Sequence, residues 1–285
     1  MAAQASRFLY VTDLHGDERR YELALRLARS RGVAAIVNGG DMYPKEGGVS
    51  LQERFVTGFL RRHFAGLARA GIACLCMPGN DDVAGLDPLL DEVCAGFEGV
   101  HNIARRRVRL LGREFVGFDL VMDYPFGLKD RCRMDGPGFR FPPQISTPVV
   151  SNAPWPEFRG LKPVGDWFGL ARRLPTLADE LGSLPRPDDP SEAVYVIHMP
   201  PAGLGLDVCC DGRRVGSAAV RAFLGREQPA LSLHGHIHES PGQSSVWRTH
   251  LGQTTVVQPG QSAEPGRLVY VVLDIDTGEA ERRVE

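Results

Sequence analysis

Short apolar runs alternate with helical patterns through the first hundred residues, an order that few architectures accept. Phe8 to Thr12 is apolar, and Glu18 to Ser30 sets Tyr21, Leu23, Leu25, Leu27 and Ala28 near helical spacing until Gly32 stops it. Val33 to Val37 is a second strand pattern. Leu51 to Ala70 then reads as an amphipathic helix through Phe55, Phe59, Leu60, Phe64 and Leu67, and Ile72 to Met77 is a third strand ending at Pro78-Gly79. Strands separated by helices imply right-handed crossovers and a mostly parallel sheet, hence an α/β fold. A helix near Leu86 to Ala95 follows, and Arg105 to Leu110 with Arg113 to Leu120 predict a hairpin about Leu111-Gly112.

The middle breaks this rhythm. From Asp123 to Pro163 the chain carries Pro125, Pro137, Pro142, Pro143, Pro148, Pro154, Pro156 and Pro163, so no long element can run through it. Tyr124, Phe126, Phe139, Phe141, Trp155 and Phe158 argue against a disordered linker. The segment 123–165 reads as an ordered, loop-rich insertion within one domain spanning 1–285, either covering a site or packing peripherally. In the covering case Phe139, Phe141 and Trp155 would shape the pocket. Beyond it, Asp166 to Leu181 predicts a helix and Ala193 to Ile197 a strand, Ser217 caps a helix over Ala218 to Arg226, and Ala230 to Leu233, Thr254 to Val257 and Leu268 to Ile275 predict strands.

Composition narrows the function. With 33 Lys plus Arg against 35 Asp plus Glu, the chain lacks the basic signature of a duplex nucleic-acid binder, so an anion must be held locally. No run approaches the roughly 18 apolar residues of a membrane span. The start, Met1-Ala-Ala-Gln-Ala-Ser-Arg, has no apolar core behind a basic segment, which predicts a cytoplasmic protein. Cys74, Cys76, Cys94, Cys132, Cys209 and Cys210 form no CxxC pair and read as free thiols.

Asp, Asn and His residues collect at predicted strand ends. Asp13-Leu-His15 follows the first strand, Gly39-Gly-Asp41 the second, and Gly79-Asn80-Asp81 the third; His198 ends the strand Ala193 to Ile197, and His234-Gly-His236-Ile-His238 follows Ala230 to Leu233. In α/β sheets the ligand crevice lies beyond the carboxyl ends of the strands, so the five can converge. Asp13 and His15, like His236 and His238, are two apart, which an extended backbone directs to one side. Carboxylate, amide oxygen and imidazole together suit Mn, Fe, Zn, Co or Ni better than Ca or Mg. Seven donors are too many for one ion and enough for two that share a carboxylate.

These residues resemble the calcineurin-like metallophosphoesterases, whose signature D-x-H, G-D, G-N-H-[DE], H and G-H-x-H stands here as Asp13/His15, Gly40-Asp41, Gly79-Asn80-Asp81-Asp82, His198 and Gly235-His236-Ile-His238. A closer likeness, to the bacterial branch related to cyclic-nucleotide phosphodiesterases, rests on His198-Met-Pro-Pro-Ala-Gly, Leu206-Asp207, Gly212 to Ser217, Glu227-Gln-Pro229, Glu239 and Val257-Gln-Pro-Gly260. The resemblance implies a two-sheet β-sandwich core flanked by helices. It implies Asp13, His15 and His238 on one metal, Asn80, His198 and His236 on a second, and Asp41 bridging. The expected activity is hydrolysis of a small-molecule phosphodiester, such as a cyclic nucleotide or a nucleotide-linked metabolite, by a metal-bridging hydroxide. A phosphomonoesterase or protein phosphatase on the same metals and a non-catalytic scaffold are the rival readings.

The chain departs from the signature at Asp81, where much of the family has histidine and where an ionised carboxylate would repel an anionic substrate. His234 is a candidate proton donor or a strand-end residue bonded locally. Arg213 and Arg214 are either a phosphate fork or solvated loop arginines.

Overall fold

The computed structural model describes residues 6–285, and the reading of Met1 to Ala5 lies outside them. Sixteen strands are assigned among these residues. In chain order they are β1 Arg7–Val11, β2 Ala35–Asn38, β3 Ala73–Cys76, β4 Val100–Asn102, β5 Arg107–Leu110, β6 Arg113–Phe118, β7 Val121–Met122, β8 Cys132–Arg133, β9 Val149–Ser151, β10 Leu161–Pro163, β11 Val194–Ile197, β12 Leu231–Leu233, β13 Arg248–Leu251, β14 Thr254–Val257, β15 Val269–Asp274 and β16 Ala280–Val284. Two six-stranded sheets result, ordered β16-β15-β1-β2-β3-β4 and β13-β14-β12-β11-β6-β5. Both are mixed. β1 to β4 run parallel, as do β6, β11, β12 and β14, while β15, β16, β13 and β5 add antiparallel edges.

Side-chain alternation shows how the sheets stack. In β1, Phe8 and Tyr10 point to the core between the sheets, while Leu9 and Val11 point to the helices; in β11, Val194 and Val196 point inward and Tyr195 and Ile197 outward. Phe8 meets Phe115 of the opposite sheet edge-to-face, ring centroids 5.8 Å apart. Strands apolar on both faces fit a sheet covered on each side. The result is the α/β sandwich implied by the resemblance, with helices α1 Glu18–Ser30, α2 Val49–Arg54, α3 Arg61–Arg69 and α4 Asp87–Ala95 on the first sheet's side. On the other side are α5 Trp167–Ala171, α6 Leu177–Gly182 and α7 Ala218–Glu227, and a short α8, Ser240–Ser244, follows β12.

Local chemistry sets the boundaries. α1 starts where the Asp17 side chain accepts from the Arg19 and Arg20 amides, and α7 where Ser217 Oγ accepts from Val220 N. The helix expected over Leu51 to Ala70 is α2 and α3 joined by a π-helical stretch, Phe55–Leu60, which stacks the Phe55 and Phe59 rings at 5.1 Å. The single helix expected over Asp166 to Leu181 is instead two, because Pro175 cannot donate within it; Thr176 restarts the chain with a capping box to Asp179. β4, β13 and β16 escaped the sequence reading. The insertion 123–165 holds only short strands, β8 paired with β7 just before the insertion and β9 paired with β10, besides an isolated bridge between Leu128 and Val149. All six cysteines are free thiols, and no helix of the described residues is long and apolar enough to cross a membrane.

Candidate metal centre

The carboxyl ends of β1, β2, β3, β11 and β12 meet at one edge of the sandwich and bring together Asp13, His15, Asp41, Asn80, His198, His236 and His238. One donor atom from each of Asp13, His15, Asp41 and His238 lies within 4.8 Å of the other three. His15 Nε2 is 3.0 Å from His238 Nε2, which is 3.3 Å from Asp13 Oδ1. A second group adjoins it: Asn80 Oδ1 is 3.1 Å from His198 Nε2 and 2.6 Å from His236 Nδ1. Asp41 Oδ2 stands between the groups, 3.9 Å from His15 Nε2 and 3.4 Å from His198 Nε2.

The backbone is bent to achieve this. Asp13, His15, Asp41 and His236 have φ of 57°, 46°, 50° and 70°, and they are half of the eight non-glycine residues with positive φ among those described. Each such conformation costs on the order of 1 kcal/mol and persists where the surroundings enforce it, commonly at functional sites. The extended geometry expected for Asp13-x-His15 and His236-x-His238 is therefore corrected. Hydrogen bonds from the Asp13, His15 and Gly16 amides to the Gly40, Asp41 and Met42 carbonyls, each 2.9 Å, fold the β1 exit against the β2 exit.

The glycine positions are close-approach requirements. A Cβ on Gly79 would sit 2.2 Å from Asp41 Oδ1, and one on Gly235 would sit 2.1 Å from Thr12 Oγ1 and 2.8 Å from Asp13 Oδ2. Buried Asp82 fastens the same loops, its carboxylate accepting from Met42 N, Tyr43 N and Gly79 N at 2.7 to 2.8 Å. Burial, then the nearby Asp41 carboxylate, pushes the Asp82 pKa up to about 7. Arg131 of the insertion reaches beneath, bonding the Asp82 carbonyl and pairing with Asp87 and Asp119.

The buried carboxylates and imidazoles of the site perturb one another strongly. Burial opposes ionisation of Asp13, yet His238 outweighs it and lowers the Asp13 pKa to about 2. Burial likewise opposes a charged His198, but Asp41 and then Asp13 raise its pKa to about 9. His236 is driven the other way, to about 3, by burial and the adjacent His198. Asp13 Oδ2 is buried without a hydrogen-bond partner among the described residues. Carboxylates, an amide oxygen and imidazoles crowded at these distances suit divalent cations of the Mn-to-Zn series, and the residues present fit two of them.

The other expected residues divide. Asp81 joins the cluster's rim, its Oδ1 accepting from Asn80 Nδ2 at 3.1 Å and its N–H donating to Asp41 Oδ1 at 2.9 Å. The structure does not bring His234 to the site: Nε2 is 2.8 Å from Ser232 Oγ and Nδ1 is 2.9 and 3.0 Å from the Ile197 and Met199 carbonyls, within the second sheet. Burial lowers its pKa to about 4. Arg213 pairs with Asp211 at the surface. Phe141 packs on Phe168 and Phe139, and Trp155 on the first sheet's helical core, so none of the three aromatics expected at the pocket borders the cluster. Tyr124 and Phe126 do: the Tyr124 ring lies 6.1 Å from His236 and 5.8 Å from Phe126. Lys45, also missed, sits 2.9 Å from Asp81 Oδ2, and its place four residues after Asp41 was the available signal.

Comparison with known proteins bears on the fold and the family. Among solved structures, TT1561 of Thermus thermophilus is 19% identical, with 97% of each chain covered and a TM-score of 0.56. A dimetal phosphatase from Danio rerio is 10% identical over 93% of this chain and 91% of that one, with a TM-score of 0.50. At such identities the likeness is one of fold. No curated protein matches. The calcineurin-like phosphoesterase family model matches residues 6–240, so the chain belongs to that family of phosphoric ester hydrolases, which depend on two metal ions.

Proposed function

We propose that the chain, as one catalytic unit over 1–285, is a metallophosphoesterase that hydrolyses a small-molecule phosphodiester in the cytoplasm. Asp13, His15 and His238 would hold one ion, Asn80, His198 and His236 the other, and Asp41 would serve both. The observation that carries this is Asp41 Oδ2, placed 3.9 Å from His15 Nε2 in one group and 3.4 Å from His198 Nε2 in the other. Two such cations, drawn from Mn, Fe, Zn, Ni or Co, would lower the pKa of a nucleophilic water and offset charge on the phosphate oxygens.

The chain's own residues do the rest. The left-handed turns at Asp13, His15, Asp41 and His236 fix the donors in advance, which removes reorganisation from the reaction. The Asn80 amide turns its oxygen toward His198 and His236 while its NH2 group faces Asp81, on the rim where a phosphate oxygen would lie. Tyr124 and Phe126, from the start of the insertion, wall one side.

A diester is favoured over a monoester because cations are scarce: Lys45 at the rim is already paired with Asp81, and Lys129 and Arg131 are buried in ion pairs of their own. A cytoplasmic setting fits the six free thiols. The test is a metal-reconstituted assay on paired aryl diester and monoester substrates with wild type and Asp41→Asn. Faster diester turnover, abolished in Asp41→Asn with bound metal lowered, is expected. Faster monoester turnover would assign a phosphomonoesterase, and no metal-dependent turnover of either would leave the scaffold reading.

A further inference from the structure

Asp81, at the position where the family signature carries histidine, does not stand alone. It contacts both halves of the donor cluster, through Asn80 Nδ2 at 3.1 Å, Asp41 Oδ1 at 2.9 Å and His15 Nδ1 at 3.7 Å. Lys45 covers it from the loop after β2, with Nζ 2.9 Å from Asp81 Oδ2 and 6.0 Å from the Phe126 ring centroid. The Lys45 side chain is 58% exposed and that of Asp81 15%, so the ammonium forms the open side of the pair and the carboxylate lies beneath. An ammonium has three donors and Asp81 takes one, which leaves others for an incoming oxygen.

Charge decides what this pair does. The cluster already contains the Asp13 and Asp41 carboxylates, and a third, Asp81, adds a negative field where a phosphate must enter. We propose that Lys45 is a specificity-determining residue, which neutralises Asp81 and so admits phosphate anions according to their charge. It rests on the metallophosphoesterase reading above. Coulomb energy is proportional to substrate charge, so removing the ammonium penalises a dianion by about the square of the factor for a monoanion. For a half-exposed, partly screened cation that is about tenfold for a diester and about a hundredfold for a monoester. The Lys45–Asp81 pair thus tunes which ester class the metals receive.

The experiment compares wild type, Lys45→Met, Lys45→Arg and Lys45→Met with Asp81→Asn, each metal-loaded, with metal content and melting temperature verified. The substrates are bis(p-nitrophenyl) phosphate and p-nitrophenyl phosphate, at mildly alkaline pH and at low and high salt. Lys45→Met should lower kcat/KM chiefly through KM, about tenfold more for the monoester than for the diester, with the gap shrinking at high salt. Lys45→Arg and the double variant should each recover most of the loss. An equal loss on both substrates, or a double variant no better than Lys45→Met, would overturn the proposal while leaving the metallophosphoesterase reading intact. Wild type with bound metal and no hydrolysis of either ester would overturn both.

Discussion

Gly79→Ala separates ligand geometry from ligand identity. Gly79 is not in the left-handed region, so alanine meets no backbone penalty there. Its Cβ would nevertheless stand 2.2 Å from Asp41 Oδ1 and 2.3 Å from Asp41 N, against the 3.4 Å at which ordinary contact begins. Relief therefore needs a shift of about 1 Å between the β2 and β3 exits, whereas metal–ligand distances tolerate about 0.2 Å. A displacement of that size costs about 100-fold in rate when it misplaces the reacting centre, and overpacking costs about 1–3 kcal/mol in stability. Gly136→Ala is the control, since its Cβ would meet no atom within 4 Å. Bound metal by elemental analysis, diester turnover and urea unfolding should show Gly79→Ala losing at least one ion and about 100-fold in kcat, with Gly136→Ala unaffected. Two ions and near-normal kcat in Gly79→Ala would refute the claim that Asp41 must sit where the structure puts it.

Three further expectations concern other parts of the molecule. Phe126→Ala should change the ranking of aryl, nucleotide and alkyl diesters more than the rate on any one of them, as a kcat/KM panel would show; a uniform fall across the panel would deny it a part in the pocket wall. His234→Ala should leave kcat close to wild type while lowering stability by about 2–4 kcal/mol, through a lost ring and unpaired Ser232 and carbonyl partners; a large loss of kcat without loss of stability would make it a proton donor after all. His63 is buried against Tyr21 and Phe59, and burial lowers its pKa to about 4. A neutral histidine in the native state stabilises above its unfolded pKa near 6.5, and that contribution disappears as pH falls from about 6.5 to 4. His63→Phe should therefore spare about 3 kcal/mol of the acid destabilisation that wild type shows over that window, measured by denaturant titration at both ends.

Where the sequence was informative, the reason was local. Glu18 to Ser30 carried its period and its stop, and the helix occupies those bounds, with Asp17 as the cap that the structure adds. The donors could be located because each directly follows an apolar run, a relation that strand topology preserves. What stayed hidden depends on contacts distant in the chain. The left-handed turns at Asp13 and His15 exist because the β1 exit bonds to the β2 exit, so period-two reasoning gave convergence for the wrong backbone. β1 lies between β2 and β15, a partner more than 250 residues away, and no local pattern encodes that pairing. Pro175 was a readable break that the apolar spacing of Asp166 to Leu181 outweighed. The aromatics bordering the site, Tyr124 and Phe126, open the insertion, whereas Phe139, Phe141 and Trp155 were equally good by composition and lie elsewhere. Asp81 looked repulsive in isolation, and only the fold of the β2 loop brings Lys45 onto it.

The shared carboxylate is tested most directly by reconstituting the protein with manganese and recording its electron paramagnetic resonance alongside its metal content. Two ions per chain with an exchange-coupled dinuclear spectrum, replaced in Asp41→Asn by an uncoupled mononuclear one, is the predicted result. One ion per chain, or two ions with no magnetic coupling in the wild type, would contradict a centre bridged by Asp41.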